Sequence, residues 1–377
     1  MKFNIYIANH GKPDGIEDFI QILLDLVRRN GYEVTTTKSL NESAVNIVID
    51  EFTNYATNRE IESFKNNHPE AVLIFVLTEF IESKLLVKSF NFFDGLVAAS
   101  IVSAIRVYIP FKRKDFEKPT KGDWLVALIY SPVAAGYWML YQLRQIGKTN
   151  EESIVSKIRG HAYLLMRYLG LKRMVKLADA VVLSHPKISE SLTYLSDCPK
   201  TLGVLYPEIN YQDVVRNLFR DKTLMLEVTG SITTYRHKCI LNINRQILLS
   251  GMHNSMELCK AISFGHNSSS GESRGAYSLH PPQSEKWKYS SPTRIYRALQ
   301  YDGNMPVLTK TFNQHPIEEL CIVYEGEETL LTLYQYYNKQ SELIRYIRPK
   351  IERYNEVANS ENVRVLSLME EIVRKRL

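Results

Sequence analysis

The most informative part of the sequence is YSLHPPQSEKWKYSSPTRIYRALQYDGNMPVLTK, which runs from Tyr277 to Lys310. It predicts the end of a strand, a polar loop, a helix, a turn that contains glycine, and a second strand. The hydroxyl-rich run 290–293, with Pro292 inside it, is typical of a helix N-terminus. A strand that is followed by a helix and another strand favours a parallel sheet.

The start of this helix also predicts a phosphate site. A helix N-terminus carries about half a positive charge and several unpaired N–H groups, so it attracts anions. Arg294 in the first turn is unfavourable for the helix dipole but suits a phosphate. Ser291 and Thr293 are candidate phosphate ligands on the same turn, and the alternative is that they only cap the helix.

Strands alternate with helices over the rest of the chain. FNIYIA (3–8), NIVID (46–50) and AVLIFVL (71–77) are strand-like, and residues 16–29 carry apolar side chains at helical spacing. TLMLEVTG (223–230) begins a second block of the same kind. Because 377 residues exceed what one compact core usually holds, we predict two α/β domains with parallel sheets.

Composition narrows the class of protein. The net charge is +6, from 47 basic and 41 acidic side chains, which suits anionic ligands or an anionic membrane surface without requiring nucleic acid. The four cysteines form no CxxC pair and no zinc-like spacing with histidine, which predicts a reducing cytoplasm and no metal site. The N-terminal run alternates like a strand and does not resemble a signal peptide.

One uncharged stretch bears on membrane contact. WLVALIYSPVAAGYWMLY (124–141) has no charged residue over 18 positions, which is near the lower limit for a spanning helix. Pro132 interrupts it, so a buried helix or a strand followed by a helix is the favoured interpretation. The alternative that we keep open is peripheral contact with a membrane.

Three motifs in order resemble the GT-B-type glycosyltransferases. ADAVVLSHPKISESLTYL followed by VLYPEIN (178–210) resembles the end of their first domain. EVTGSITTYRHK (227–238) resembles the first strand and phosphate loop of their donor domain, with Gly230 and Arg236 at the matching positions. SSPTRIYRALQYDGNMPVL (290–308) resembles their donor-binding helix.

This resemblance implies two Rossmann-like domains that face each other across a cleft. Residues 1–206 would form the acceptor-side domain and residues 207–349 the donor domain, and a C-terminal helix at 350–377 would pack back on the first domain. The implied activity is metal-independent transfer of a sugar, without a resident cofactor, in bacterial surface-polysaccharide assembly. The expected donor is a nucleoside diphosphate sugar, and the expected acceptor is a glycan or lipid-linked glycoconjugate.

The resemblance and the residues together predict the site. The donor phosphates are expected to meet Gly230, Arg236, Glu285, Ser291, Thr293 and Arg294. Candidates for the base that deprotonates the acceptor hydroxyl are His10, Asp14 and Glu79. Retaining enzymes of the commonest bacterial family carry two glutamates seven residues apart, but Arg297 occupies the second position here, so the stereochemistry stays open.

Other interpretations stay open. His280-Pro281 with Ser290-Ser291 is similar to the motifs of sialyltransferase-like enzymes, which use a cytidine monophosphate sugar. The missing glutamate pair also permits a non-catalytic nucleotide- or sugar-binding protein, and the architecture permits a nucleotide-sugar epimerase. Four weaker candidates could equally have a purely structural role. They are Lys286 for a phosphate contact, Tyr206 or Tyr289 for stacking on the nucleotide base, and His185 for a ligand contact or a hinge between the domains.

Overall fold

The computed structural model describes residues 1–10, 16–52, 55–78, 170–193, 195, 198–229, 233–262, 274–282 and 292–376. The predicted site residues Asp14, Glu79, Gly230, Glu285 and Ser291, and the weaker candidates Lys286 and Tyr289, lie outside these ranges. Residues 124–141 also lie outside them. Within the described ranges, no helix is long and apolar enough to cross a bilayer.

The first sheet has six parallel strands in the order β2-β1-β3-β4-β5-β6. Its strands are β1 Lys2–Tyr6, β2 Glu33–Thr37, β3 Val45–Ile49, β4 Leu73–Leu77, β5 Ala180–Leu183 and β6 Thr201–Val204. The described helices of this part are α1 Glu17–Arg29, α2 Tyr55–Asn67 and the short α3 Ser189–Leu192. Every residue of β3 and β4 is buried, as expected for parallel strands covered on both faces.

The second sheet has five parallel strands in the order β11-β10-β9-β7-β8. Its strands are β7 Thr223–Thr229, β8 Lys260–Ile262, β9 Gly275–His280, β10 Met305–Leu308 and β11 Ile322–Val323. The helices that follow β6 are α4 Tyr211–Asn217, α5 Thr234–Leu249, α6 Pro292–Gln300, α7 Glu327–Asn338 and α8 Gln340–Arg376. Tyr277 lies at the centre of this core and donates its hydroxyl to the Leu333 carbonyl on α7.

The predicted fold class is confirmed. Both sheets are parallel, and in each one the first strand lies between the second and the third, which is the doubly wound arrangement. The C-terminal helix α8 packs against β6 of the first sheet, and its last residue, Arg376, contacts the Pro69 carbonyl and Asp179 in the first domain. Helix α8 therefore crosses back from the second domain to the first.

Helix α8 begins at Gln340 and continues through Pro349, earlier than the sequence predicts. A proline inside a helix costs about 3 kcal/mol because it removes one backbone hydrogen bond. The apolar stripe on α8 continues unbroken past that point, with Leu343, Ile347 and Ile351 all fully buried. Burial of this stripe outweighs the cost of the proline.

Two asparagines of α8 hold the segment that follows β6. Asn362 is fully buried; its amide donates to the Tyr206 carbonyl at 2.9 Å and accepts from the Tyr206 N–H at 3.0 Å. Asn355 makes the same two bonds with Ile209, at 2.7 and 2.9 Å. The segment that follows β6 is the linker between the two sheets. We call Asn355 and Asn362 the asparagine clamp, because they satisfy the backbone of this linker as a neighbouring strand would.

Close approach of α8 to β6 depends on Gly203. A Cβ at this position would lie 2.3 Å from Nη2 of Arg364 and 2.9 Å from Cγ2 of Val365. The backbone also has a φ of +150°, which side-chain-bearing residues rarely adopt. Glycine therefore lets the helix contact the strand that leads into the linker.

Asn362→Ala tests the asparagine clamp. The change leaves a buried N–H and a buried C=O of Tyr206 without partners, so we expect a loss of about 2–4 kcal/mol in the free energy of unfolding. Urea denaturation followed by circular dichroism measures it. Asn338→Ala is the matched control, because Asn338 bonds only within α7 at an exposed position. If both variants lose the same small amount of unfolding free energy, the clamp is contradicted.

Candidate functional site

In doubly wound sheets, ligands bind beyond the carboxyl ends of the strands, where the strand order reverses. In the second sheet this switch point lies between β7 and β9. The residues that follow these strands are the start of α5 after β7 and the segment His280–Pro281–Pro282 at the end of β9. The chain therefore places the start of α5 and a His-Pro dipeptide at the expected ligand position.

Arg236 ties the two sides of this switch point together. It lies in the first turn of α5, although the sequence analysis leaves it in a loop, and only 3% of its surface is exposed. Its N–H donates to the Thr233 hydroxyl, which caps the helix at 3.3 Å. Its side-chain Nε donates to the Pro281 carbonyl at 3.2 Å, so the guanidinium lies against the end of β9.

Arg236, Arg294 and His280 form what we call the arginine cluster. Burial, and then repulsion by Arg294, lower the pKa of Arg236 to about 10. Burial, followed by Arg294 and Arg236, lowers the pKa of His280 to about 3, so this imidazole is neutral at pH 7. Its Nε2 is buried and has no hydrogen-bond partner within the described residues. Two cations that repel each other beside a neutral ring favour a bound anion.

The predicted donor helix begins where the sequence indicates. Helix α6 starts at Pro292, and Thr293 and Arg294 are half-buried in its first turn. Ile295 is fully buried behind them, which fixes the direction of the helix. The structure thus brings Arg294 on α6 close to Arg236 on α5.

The switch point of the first sheet lies between β1 and β3. His10 follows β1 directly, and its Nε2 lies 3.2 Å from the Ile49 carbonyl at the end of β3. Asn9 beside it donates to the same carbonyl at 2.6 Å. A carbonyl can only accept, so this contact requires a proton on Nε2 of His10. In the neutral ring the lone pair is then on Nδ1. His10 therefore lies on the other sheet and not in the arginine cluster.

The carboxyl ends of β3 and β4 are also linked. Asp50, which follows β3, is buried and accepts hydrogen bonds from the N–H and the hydroxyl of Thr78 at 2.8 and 2.6 Å. This carboxylate thus holds the chain at the end of β4, one residue before Glu79. Asp50 carries no distinctive signal in the sequence, since an aspartate after a strand is common in turns.

The two domains meet through histidines. The rings of His185, after β5, and His315, after β10, have centroids 5.3 Å apart, and the Tyr206 ring lies 5.0 Å from that of His315. His185 is N-terminal to a one-turn helix at Pro186–Ile188, and its Nδ1 accepts the Lys187 N–H. The carboxyl edges of the two sheets therefore meet here.

His315 was missed by the sequence analysis. Its Nδ1 accepts the Ile317 N–H at 3.2 Å, which repeats the arrangement at His185. The signal that could have revealed it is the His-Pro dipeptide at 315–316, which repeats those at 185–186, after β5, and at 280–281, at the end of β9. Tyr206, considered for stacking on a nucleotide base, packs its ring on His315 instead.

Arg297, which replaces the second glutamate of the retaining pattern, has a structural role. It bonds Asp18 at the start of α1 at 3.2 Å and Asp302 at 3.3 Å. Burial disfavours its charged form, but Asp302 and Asp18 outweigh burial and raise its pKa. Arg297 therefore connects α6 to the first domain.

A cavity of about 680 Å³ lies beyond β10 and β11. Four glutamates and one lysine contribute to its wall: Glu318, Glu319, Glu325, Glu328 and Lys350. Because this lining is mainly acidic, it does not suit a phosphate. Within the described ranges, this cavity included, no three His, Cys, Asp or Glu side chains come together as metal ligands would.

Comparison with known proteins adds little to this geometry. No family model and no curated protein sequence matches the chain. Among solved structures, it is similar to apo UGT2 from Phytolacca americana, with 8% identity, 99% of both chains covered and a TM-score of 0.38. The fold assignment rests on the two strand orders and on α8, not on this superposition.

The buried histidines predict a loss of stability in acid. The folded pKa of His185 is about 4, because burial disfavours the charge, and that of His315 is well below its ordinary 6.5. As pH falls below about 6.5, the unfolded chain takes up protons that the folded chain does not, and stability falls until the folded pKa is reached.

His185→Asn should reduce this acid sensitivity. Asparagine can still accept the Lys187 N–H but does not titrate. We expect the slope of unfolding free energy against pH, between pH 6 and 4, to shrink by up to about 1.4 kcal/mol per pH unit. His253→Asn, at an exposed position, is the matched control. An unchanged slope in urea titrations at several pH values would contradict the burial of a neutral His185.

Proposed function

We propose that this chain is a glycosyltransferase. It would move a sugar from a nucleoside diphosphate sugar to a hydroxyl of a glycan or lipid-linked acceptor. The observation that supports this proposal is the arginine cluster at the switch point of the second sheet, where two guanidinium groups repel each other beside a neutral imidazole. The proposed donor domain, residues 207–349, contains this cluster.

The leaving group needs positive charge at this point. When the bond between the anomeric carbon and the phosphate oxygen breaks, the electron pair goes to the phosphate and negative charge grows there. Preorganised cations stabilise such charge more than water does, because they need no reorganisation. Arg236 is held by the Pro281 carbonyl, and Arg294 lies in the first turn of α6. These two charges supply what a metal ion would otherwise supply, so we propose a metal-independent reaction.

The acceptor hydroxyl needs a base on the facing domain, proposed as residues 1–206. We assign this role to His10, whose lone pair is on Nδ1 because Nε2–H donates to Ile49. The hydroxyl proton goes to Nδ1 as its oxygen attacks the anomeric carbon. Asp14 and Glu79, which follow β1 and β4 in the sequence, are the other candidates for this role. Contact between His185 and His315 supports facing sheet edges.

A cytidine monophosphate sugar is the second candidate donor. The observation that favours it is His280, part of a His-Pro dipeptide, whose ring lies among the same charges as the proposed phosphate. The affinities for UDP, GDP and CMP distinguish the two kinds of donor, because the nucleotide that binds most tightly indicates whether the donor is a diphosphate or a monophosphate sugar. We expect a diphosphate to bind more tightly, because two phosphates can meet both arginines.

Arg294→Ala tests the phosphate assignment. Loss of one charge-assisted hydrogen bond should weaken nucleotide binding by about 1.5–3 kcal/mol, or roughly 10- to 150-fold. Isothermal titration with each nucleotide measures the change. Arg245→Ala is the matched control, since Arg245 is exposed on the far part of α5. If Arg294→Ala and Arg245→Ala bind the nucleotide with equal affinity, the assignment of the phosphate site to Arg294 is wrong.

His10→Gln tests the base. Glutamine can still donate to the Ile49 carbonyl but cannot take a proton, so kcat should fall by about 10²–10⁴-fold while nucleotide affinity stays unchanged. Donor turnover is followed by release of the free nucleotide. Nucleotide binding without transfer or hydrolysis by the unmodified protein, over a panel of donors and acceptors, would instead support a non-catalytic binding protein. An altered free sugar nucleotide would support an epimerase.

A further inference from the structure

We propose that the outward side of α5 docks on an anionic lipid bilayer. Three leucines project from it, Leu241, Leu248 and Leu249, and they are 55%, 52% and 76% exposed. The exposed basic residue Arg245 lies between Leu241 and Leu248, and the exposed Lys238 lies about one turn before Leu241. We call these five residues the leucine face. The proposal goes beyond the proposed sugar transfer and does not rest on it.

Helical spacing places these side chains together. Leu241, Arg245 and Leu248 follow each other at intervals of four and three residues, so they form one row along the helix. Leu249 borders this row. The opposite side of the helix carries the contacts with the core, where three isoleucines are buried: Ile240, Ile243 and Ile247. The fold therefore uses one side of α5 and leaves the leucine face in water.

A neighbouring turn extends the apolar surface. Asn244, one turn before Leu248, exchanges two hydrogen bonds with the backbone of Cys259, at 3.1 and 2.6 Å. This pairing holds against α5 the segment that carries Leu258, which is also exposed. Within the described part of the chain, four of the ten exposed large hydrophobic residues lie between positions 241 and 258. Such concentration marks an interaction surface.

The charge of this region selects the partner. Helix α5 contains no aspartate or glutamate. Across residues 233–262 the only acidic residue is Glu257, and its carboxylate is paired with Lys260 at 2.7 Å. Exposed leucines among basic side chains thus present an apolar and positively charged surface. The complementary partner is apolar and negatively charged.

An anionic bilayer has both properties. Leucines can enter the boundary between headgroups and acyl chains, while Lys238 and Arg245 extend to the lipid phosphates. A second copy suits the face poorly, because a two-fold contact would bring two sets of basic side chains together with no aspartate or glutamate on α5 to pair with them. Four leucines also cover less than the roughly 800 Å² per partner of a stable protein interface.

Vesicle flotation tests the proposal. The intact protein should float with vesicles that contain phosphatidylglycerol and only weakly with pure phosphatidylcholine vesicles. Leu248→Gln with Leu249→Gln should lower the partition coefficient on the anionic vesicles by at least roughly 30-fold. Lys238→Gln with Arg245→Gln should lower it by about 20- to 30-fold and abolish the preference for anionic lipid. Both pairs should keep wild-type melting temperatures and nucleotide affinity.

A matched control distinguishes binding through the leucine face from nonspecific hydrophobic adsorption to vesicles. Val357→Gln with Val363→Gln removes two exposed apolar side chains from α8 and should leave flotation unchanged. The proposal is overturned if the intact protein does not float, or if the leucine variant floats as well as the intact protein. It is also overturned if sedimentation without lipid shows a dimer that the leucine variant dissociates. Loss of nucleotide binding alone would count against the proposed function, not against the leucine face.

Discussion

The asparagine clamp is the interaction on which the two-domain arrangement depends. A chain that leaves one sheet for another exposes backbone groups which no strand can satisfy, and buried groups of this kind are costly. Asn355 and Asn362 meet this need with two bonds each, to Ile209 and Tyr206. Tyr354 adds a bond to the Pro207 carbonyl at 2.7 Å. The linker is thereby fixed to α8, and the carboxyl edges of the sheets come to lie together.

Unlike the asparagine clamp, the arginine cluster lowers the folding stability of the protein. Burial of Arg236 and its repulsion by Arg294 both disfavour the charged state, so this part of the fold is held in place by its surroundings. The Thr233 cap and the Pro281 carbonyl fix the guanidinium. Preorganised charge of this kind reduces folding stability and lowers the cost of binding an anion. Stability is supplied elsewhere, by the clamp and the apolar core that spans both sheets.

Local patterns were sufficient for the strands and for the start of α6. AVLIFVL predicts a buried strand, and hydroxyls with a proline predict a helix N-terminus, because both signals depend on adjacent residues. Contacts between distant residues could not be predicted this way. The meeting of His185 with His315 depends on how two sheets pack, and Asn362 looks like a surface residue of an amphipathic helix. Arg236 lies in the arginine cluster, and its position inside a helix was not predicted.

Helix α6 has a mechanical consequence for the molecule. Its first turn carries Arg294, and one turn later Arg297 reaches Asp18 on the other domain at 3.2 Å. A helix this short behaves as a rigid rod, so a shift at either end is transmitted to the other. Both partners of the ion pair are about one-third exposed, which limits its strength to roughly 0–1 kcal/mol. An ion pair of this strength can break and re-form at little cost, so it permits a change in the angle between the two domains.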